Sequence, residues 1–429
     1  MNILVIGNGF DLAHGLPTKY TDFLEWVFQE AKFWEKLKLE GREIANKVKI
    51  LPLDLQLPKG KKSKVEIDVS IEHQVELWNC INGNIWVDYF LNNPIYQKEN
   101  WIDFENEISK VIQSLDADMH GLSQIYNIED IAHNLSNDFL KEIYSDYIDA
   151  VQPINPVDNG FSEGISFKKI RDRLLSDLNR LIRAFEIYLT EYIEKISIRI
   201  ISPDIEEIAA TIYDDRGQKG ILFSKVISFN YSNIYEQIYL RKYNIDCSDY
   251  LDYIHGKADI NHTIETNNMV LGIDEYLGKK KRNKQVEFIA FKKFYQRIHK
   301  GTGCKYKEWT DTIKGEYEYY QTELEKCKTE KNIMNLKAMA NKSKKQYLNR
   351  HHVYIFGHSL DVTDKDILRD LILNDNVYTT IFYHNKDVMG QQIANLVKVI
   401  GQDELIRRTG GSTKTIEFKQ QQDMILIKS

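Results

Sequence analysis

Strand-like apolar runs lie near the two ends of the chain, and long helix-like patterns separate them. Residues 3–6 form a short, unbroken apolar run, which is typical of a parallel strand buried on both faces. Further strand-like runs follow at 221–229, 250–254, 269–273, 353–356, 378–383, 413–418 and 424–427. This pattern predicts an α/β fold with a Rossmann-like, mostly parallel sheet and large helical insertions.

Helical periodicity fills most of the chain between these runs. From about residue 71 to residue 217, apolar residues recur at spacings of three and four. Residues 49–70 have strand character on both sides of a Pro-Lys-Gly turn, which predicts an exposed β-hairpin. We therefore expect a core formed by 1–24 and 221–429, with a helical insertion at about 281–349. Residues 25–220 are expected to form a mostly helical insertion domain that contains the hairpin.

Composition favours a soluble, cytoplasmic protein. The 429 residues carry 57 basic and 63 acidic side chains, and this balance gives no nucleic-acid footprint. The spacing of the cysteines fits neither a zinc site nor a disulfide framework, so we expect reduced thiols at Cys80, Cys247, Cys304 and Cys327. No apolar run is long enough to span a membrane, and the first run lacks the basic leader of a signal peptide. We expect no membrane partner.

A glycine turn follows the first predicted strand at Gly7-Asn8-Gly9. Two glycines allow a tight turn and let the backbone approach a ligand closely. A strand, a glycine turn and a helix in this order point backbone N–H groups at a phosphate, so the segment predicts a nucleotide site. Many α/β proteins, however, turn on such glycines without a ligand. The segment also departs from G-x-G-x-x-G, because position 12 is Leu and the next glycine is Gly15.

Small or polar residues follow several other predicted strands at their carboxyl ends. They are Asn230, His255-Gly256, Gly357-His358-Ser359 and His384-Asn385. In open α/β sheets, ligands bind at this edge. We therefore expect these residues to converge with residues 7–15, although hundreds of positions separate some of them.

The same residues also have structural interpretations. Asn230 is suited to cap the helix that follows it, and His255 is suited to a turn. A Ser–His–Asp hydrolase triad of His358, Ser359 and Asp361 is disfavoured. The G-x-S-x-G elbow is missing, and close neighbours in sequence do not generally form a triad.

The glycine turn resembles the nucleotide loop of the sirtuin-like (SIR2) superfamily. Matching places are taken by Gly7, Gly9, Phe10, Asp11, Gly15, Leu16 and Pro17. The longer string GNGFDLAHGLPTKYTDF looks more specifically like the AbiH family of bacteriophage abortive-infection proteins. The order of glycine loop, Asn, His-Gly and Gly-x-Ser along the chain also follows the superfamily.

The resemblance implies roles for the polar strand ends. The residue matching Asn230 holds the nicotinamide ribose and a water, and the residue matching His255 contacts the ribose hydroxyls and accepts a proton. These two residues are the expected catalytic pair. Ser232 stands where sirtuins carry Asp. The expected nucleotide-binding residues are Gly7, Asn8, Gly9, Phe10, Asp11, Gly15, Pro17, Gly357, His358, Ser359 and Asn385.

Two further strings look like AbiH motifs. Residues 101–105 look like the family's Trp-x-Asp-x-Glu helix start, where Asp103 and Glu105 either cap the helix or bring it over the ribose. Residues 357–364 resemble its Gly-His-Ser-Leu-x-x-x-Asp string, in which we expect Asp364 to cap or orient the next helix.

These resemblances imply a phage-defence effector that hydrolyses NAD to nicotinamide and ADP-ribose and so depletes the cofactor. Nicotinamide leaves as a neutral ring, so an Asn and a His suffice without a metal or a catalytic cofactor, and NAD is the substrate. The four-cysteine zinc module of many deacetylating sirtuins is not recognisable here. Two alternatives stay open, a non-catalytic nucleotide sensor that signals to a partner and a hydrolase or transferase acting on another nucleotide. A homo-oligomer and a phage-derived trigger stay open as partners.

Overall fold

The structure is a computed structural model of the chain. It describes residues 1–39, 50–57, 61–99, 102–121, 137–144, 146–151, 162–210, 225–240, 249–278, 281, 284–329 and 351–426. The strands are β1 (Asn2–Ile6), β2 (Ile50–Leu57), β3 (Lys61–Asp68), β4 (Ile148–Val151), β5 (Ser162–Ile165), β6 (Ile200–Ile201), β7 (Lys225–Ser228), β8 (Leu251–Tyr253), β9 (His351–Phe356), β10 (Val377–Tyr383), β11 (Ile416–Gln420) and β12 (Ile425–Leu426).

Helices connect and surround these strands. The α-helices are α1 (Asn8–Ala13), α2 (Tyr20–Leu39), α3 (Ile71–Ile81), α4 (Ile85–Leu91), α5 (Pro94–Glu99), α6 (Phe104–Gly121), α7 (Asp138–Tyr144), α8 (Phe167–Tyr188), α9 (Pro203–Ala210), α10 (Lys293–Lys300), α11 (Tyr306–Thr329), α12 (Lys365–Ile372), α13 (Lys386–Ile400) and α14 (Gln402–Thr409). Short π-helical turns cover Leu189–Ile193 and Glu236–Leu240. Short 3₁₀ turns cover Ile289–Phe291, Val362–Asp364 and Gly411–Thr413.

Six parallel strands form the central sheet in the order β11-β10-β9-β1-β7-β8. This arrangement confirms the predicted α/β fold with a mostly parallel, Rossmann-like sheet. The chain runs from β1 to β7 and β8 on one side, and then from β9 to β10 and β11 on the other. The order of strands therefore reverses around β1, which is where ligands bind in open α/β sheets.

The apolar run of β1 is buried because both faces of the sheet are covered. Leu4 and Ile6 point into the apolar cluster on one face, and Ile3 and Val5 point into the cluster on the other. Successive side chains of a strand alternate between faces, so a strand covered on both faces needs an unbroken apolar sequence.

Helices α2 to α9 lie in the sequence between β1 and β7, as the helical pattern predicts. The long helix α8 packs against α3 and α4, and the indole of Trp86 donates to the Leu174 carbonyl at 2.8 Å. The hairpin predicted at 49–70 is confirmed as the antiparallel pair β2–β3. A second antiparallel pair, β4–β5, was not predicted. The proposed domain boundaries stay predictions.

Two predicted strands differ in the structure. Residues 269–273 do not join the sheet, because their backbone groups bond elsewhere: Val270 N–H donates to the His255 carbonyl and Gln296 donates to the Leu271 carbonyl. The run at 424–427 becomes β12, which pairs antiparallel with β6 outside the central sheet. Cys80 and Cys304 are free thiols, whereas Cys247 and the side chain of Cys327 lie outside the described part. None of the described helices is both long and apolar enough to cross a bilayer.

Candidate functional site

A cavity of about 410 Å³ opens at the carboxyl ends of β1, β7, β8 and β9. The loops after these strands bring several predicted residues to its wall. They are Gly7, Asn8, Gly9, Asp11, Asn230, His255, Gly357, His358 and Ser359. Residues that are hundreds of positions apart in the chain therefore line one cavity, as expected from their positions after the carboxyl ends of parallel strands.

Four predicted nucleotide-binding residues lie outside this wall and have structural roles. Phe10 is buried in the apolar core, 4.3 Å from the ring of His14 between centroids. Gly15 has a positive φ of 79° in the turn after α1. The carbonyl of Pro17 accepts a hydrogen bond from Tyr188 at 2.6 Å. Asn385 caps α13, because its side-chain oxygen accepts from Val388 N–H at 2.9 Å.

The glycines of the two loops pack against each other. Gly9 N–H donates to the Gly357 carbonyl at 2.7 Å, and Phe10 N–H donates to the Gly7 carbonyl at 2.8 Å. A Cβ on Gly357 would lie 2.2 Å from the Phe10 nitrogen, and Gly357 has a positive φ of 67°. The glycines therefore allow close approach between the β1 and β9 loops, and the N–H groups of Gly9 and Phe10 are already bonded within the protein.

Asn230 is held by a carboxylate from α1. Its side-chain amide donates to Asp11 Oδ1 at 3.0 Å, and the Ser232 hydroxyl donates to Asp11 Oδ2 at 2.7 Å. Burial raises the pKa of Asp11 to about 7, although the bonds from Ser232 and Asn230 oppose this rise. The Asn230 side chain is thus fixed at the cavity wall by Asp11.

His255 forms a pair with Asp364. Its Nε2 lies 3.2 Å from Asp364 Oδ1, while its buried Nδ1 has no hydrogen-bond partner among the described residues. Burial lowers the pKa of His255 to about 4, and the charge of Lys293 adds to this effect. The ring is therefore neutral at neutral pH, with its proton on the nitrogen that faces the carboxylate.

A second imidazole faces the same carboxylate. His358 Nδ1 accepts from Leu360 N–H at 2.8 Å, which assigns the proton of the neutral ring to Nε2. That Nε2 lies 3.6 Å from Asp364 Oδ2. Asp361 instead accepts from Thr363 N–H at 3.1 Å, so its contact belongs to a local turn and not to a hydrolase triad.

Two charged residues complete the wall next to Asp364. Lys293 Nζ lies 2.7 Å from Glu105 Oε2 and 3.4 Å from Asp364 Oδ1. Asp103 Oδ1 accepts from Asn106 N–H at 3.1 Å and caps α6, whereas Trp101 lies outside the described residues. Sequence analysis missed Lys293, which stands in a lysine-rich block with no motif to single it out. No group of three or more His, Cys, Asp or Glu in the described chain is placed to hold a metal ion.

A second cavity of about 420 Å³ adjoins the first. The two share Gly9, Gly357, His358 and Ser359, so the glycine loops form the boundary between them. Apolar and amide side chains and one imidazole line the rest, among them Leu12, Phe382, His384, Val388, Gln391 and Asn395. The two adjoining cavities differ in lining: the first carries several carboxyl side chains, and the second is lined mostly by apolar and amide side chains.

A family model described as bacteriophage abortive infection AbiH matches residues 3–384. The matched range includes every residue of the first cavity wall. It ends before the residues that α13 contributes to the second wall, among them Val388, Gln391 and Asn395. A search of curated proteins and a search of solved structures each found no match. The AbiH resemblance is thereby confirmed, and the sirtuin-like resemblance stays a prediction. Because the matched residues make up most of the chain, the protein belongs to the AbiH family of bacteriophage abortive infection.

Proposed function

We propose that this abortive-infection protein binds NAD across the two adjoining cavities and hydrolyses it to nicotinamide and ADP-ribose. The observation that carries the proposal is the position of Asn230 and His255 on one wall, each held by a buried carboxylate. The family indicates a role in defence against phage. Depletion of NAD in an infected cell is the route by which this activity would serve that role.

The charges of the first cavity suit the chemistry of glycosidic cleavage. Its wall carries one lysine and five carboxyl side chains, namely Asp11, Asp103, Glu105, Asp361 and Asp364. The bond between ribose and nicotinamide breaks through a transition state with cationic, oxocarbenium-like character at the ribose. Carboxylates near that position stabilise developing positive charge. Because nicotinamide departs as a neutral ring, the reaction needs no strong acid.

His255 supplies the base in this proposal. His255 lines the cavity, its buried Nδ1 has no hydrogen-bond partner among the described residues, and Asp364 holds the opposite nitrogen. Hydrolysis adds the elements of water across the glycosidic bond and releases one proton, because the departing base was positively charged. Nδ1 accepts that proton from the ribose hydroxyl or from the attacking water. Asn230, oriented by Asp11, holds the ribose and the water.

In this proposal, the second cavity binds the adenylate half of NAD. Its apolar side chains Leu12, Phe382 and Val388 offer surface for a base, and its amides offer hydrogen bonds. Ser359 lies at the boundary of the two cavities, where the pyrophosphate would pass.

The experiment measures nicotinamide released from NAD by the purified full chain, with and without lysate from phage-infected cells. Asn230→Ala and His255→Ala are expected to lower the rate at least tenfold while ADP-ribose still binds. The matched control is His299→Ala, since His299 is an exposed histidine of α10 that lines neither cavity. Tight NAD binding without release under both conditions would contradict the hydrolase and support the nucleotide sensor.

A further inference from the structure

Two carboxyl side chains and one lysine from distant parts of the chain meet beside His255. Glu105 stands in the first turn of α6, Lys293 begins α10, and Asp364 directly precedes α12. Their side chains are 14%, 4% and 10% exposed, respectively. Lys293 contacts both carboxylates, so its ammonium joins the helical segment that precedes β7 to the loop that follows β9.

Asp364 is the carboxylate on which this arrangement depends. Burial opposes its ionisation, but Lys293 and then His255 outweigh burial and hold its pKa well below the usual range. Lys293 keeps its proton for the complementary reason: burial opposes its charge, yet Asp364 and Glu105 raise its pKa. The pair is stable because each buried charge has its partner.

The ionised carboxylate decides which nitrogen of His255 carries the proton. An Asp364 carboxylate accepts from Nε2–H and leaves Nδ1 unprotonated. A protonated Asp364 would instead donate to Nε2, and the ring proton would move to Nδ1. In that state Nδ1 carries the ring proton and cannot accept another from the substrate.

We propose that Lys293 is a positioning residue that keeps Asp364 as a carboxylate and thereby leaves Nδ1 of His255 unprotonated at the cavity. Its importance for catalysis rests on the NAD hydrolysis proposed above. Its effect on the tautomer of His255 does not, because that follows from the contacts within the protein. Lys293 forms its ion pairs with Asp364 and Glu105, and its positive charge also lowers the pKa of His255, which favours the same unprotonated Nδ1.

Glu105 sets how strongly Lys293 acts on Asp364. Lys293 Nζ lies 2.7 Å from Glu105 Oε2 and 3.4 Å from Asp364 Oδ1. When Glu105 is ionised, it competes with Asp364 for the ammonium group. Burial raises the pKa of Glu105 to about 7, so at acidic pH Glu105 is protonated and leaves the charge of Lys293 to Asp364. The other titratable groups that act on this set are His358, Arg297, Asp274, Asp103 and Tyr231.

The test compares Lys293→Met, Glu105→Gln and a matched control, Lys292→Met. Lys292 is the preceding residue, is equally buried and forms an ion pair with Glu275 at 2.8 Å, but it does not line the cavity. Chains labelled with ¹⁵N in histidine give the protonation state of each ring nitrogen by NMR across pH. The signals of His255 are assigned by their loss in His255→Gln.

Lys293→Met removes a positive charge that lowers the pKa of both His255 and Asp364, so the pH at which Nδ1 gains a proton is expected to rise by roughly 1–3 units. Glu105→Gln and Lys292→Met leave it in place, because burial raises the pKa of Glu105 to about 7 and Glu105 is already protonated at the acidic pH where His255 gains its second proton. The acid limb of nicotinamide release follows the same directions. Should Lys293→Met fail to fold, Lys293→Gln decides, because it removes the same charge with a side chain that still donates hydrogen bonds: no upward movement of the Nδ1 signal overturns the inference. If the NMR shifts appear as expected but the protein does not cleave NAD, the proposed function is wrong and the inference about Lys293 stands.

Discussion

The side-chain amide of Asn230 donates to Asp11 Oδ1 at 3.0 Å, although 219 positions separate the two residues. Asp11 also accepts from Ser232, so one carboxyl group ties α1 to the loop after β7. Asp11 is 2% exposed, and burial raises its pKa to about 7. This carboxyl is therefore fully ionised in the folded protein only above neutral pH.

The raised pKa of Asp11 predicts how stability depends on pH. Between the unfolded pKa of 3.8 and the folded pKa of about 7, the folded state holds a proton that the unfolded state releases. Stability from this group is complete below 3.8 and is lost as pH rises through about 7. The Asp11→Asn variant has no carboxyl group to titrate and lacks this loss. Its free energy of unfolding, relative to that of the wild type, should therefore rise by up to about 4 kcal/mol between pH 4 and pH 8. Urea denaturation of both proteins at each pH measures this difference in the free energy of unfolding. A difference that does not change with pH would contradict the prediction.

Close packing of the two glycine loops predicts a large cost for a methyl group at Gly357. Gly357 has a positive φ, and an added Cβ would lie 2.2 Å from the Phe10 nitrogen, which belongs to the backbone and cannot swing away. We expect Gly357→Ala to lower the free energy of unfolding by at least about 2 kcal/mol. Gly390→Ala is the control, because Gly390 lies inside α13 with open space around its Cα. There alanine should stabilise by about 0.5–1 kcal/mol. Equal effects in denaturant titrations would exclude the proposed contact.

The central sheet could be predicted from sequence because its signals are local. The run at 3–6 is apolar at every position, as burial on both faces requires, and β9 and β10 show similar runs. Placing Asn230 and His255 on one edge needed only the rule that parallel strands end together. The run at 269–273 is equally apolar but forms no strand, since its backbone bonds to the loop after β8 and to Gln296.

The charged part of the site could not be predicted, because its partners are distant in sequence. Lys293 lies among lysines that a sequence pattern assigns to a solvated face, and only the fold brings it between Glu105 and Asp364. Asp364 fits a helix start by sequence and does occupy the N-cap of α12, yet its side chain makes no cap bond and faces His255 instead. Capping and catalysis favour the same residue types at the same positions, so sequence alone does not separate them.

A buried ion-pair network predicts that Arg183 is essential to stability. Arg183 and Glu186 are 1% and 0% exposed and lie 2.7 Å apart on α8. Glu186 also accepts from Asp259 N–H and from Asn267, which hold the loop that follows His255. Arg183→Met leaves a buried carboxylate without its cation and should destabilise the fold by about 3–5 kcal/mol.

The control for this network is Arg171→Met on the same helix. Arg171 pairs with Asp172, whose side chain is 52% exposed, and such surface pairs contribute between about 0 and 1 kcal/mol. Chemical denaturation of both variants measures the two effects side by side. A loss below about 1 kcal/mol in Arg183→Met would show that the network does not hold the loop in place.

If the second cavity binds the adenylate half of NAD, filling this cavity should weaken the binding of NAD but not of nicotinamide mononucleotide. Val388 is half-buried in the first turns of α13 and lines this cavity, so Val388→Trp fills the space proposed for the half of NAD that lacks nicotinamide. We expect the KM for NAD to rise about tenfold or more, a loss of about 1.4 kcal/mol in binding. The first cavity is unchanged, so kcat/KM for nicotinamide mononucleotide, which lacks the adenylate, should stay within about twofold of the wild type.

Val397→Trp provides the matched control for this experiment. Val397 lies on the same helix, is 38% exposed and does not line either cavity, so a tryptophan there adds the same bulk without filling the site. Initial rates of nicotinamide release with both substrates separate the outcomes. If Val388→Trp slows both substrates equally, the tryptophan disturbs the shared glycine loops and the adenylate does not occupy the second cavity. If it slows neither, the dinucleotide binds elsewhere, because a filled cavity cannot hold the adenylate at its former affinity.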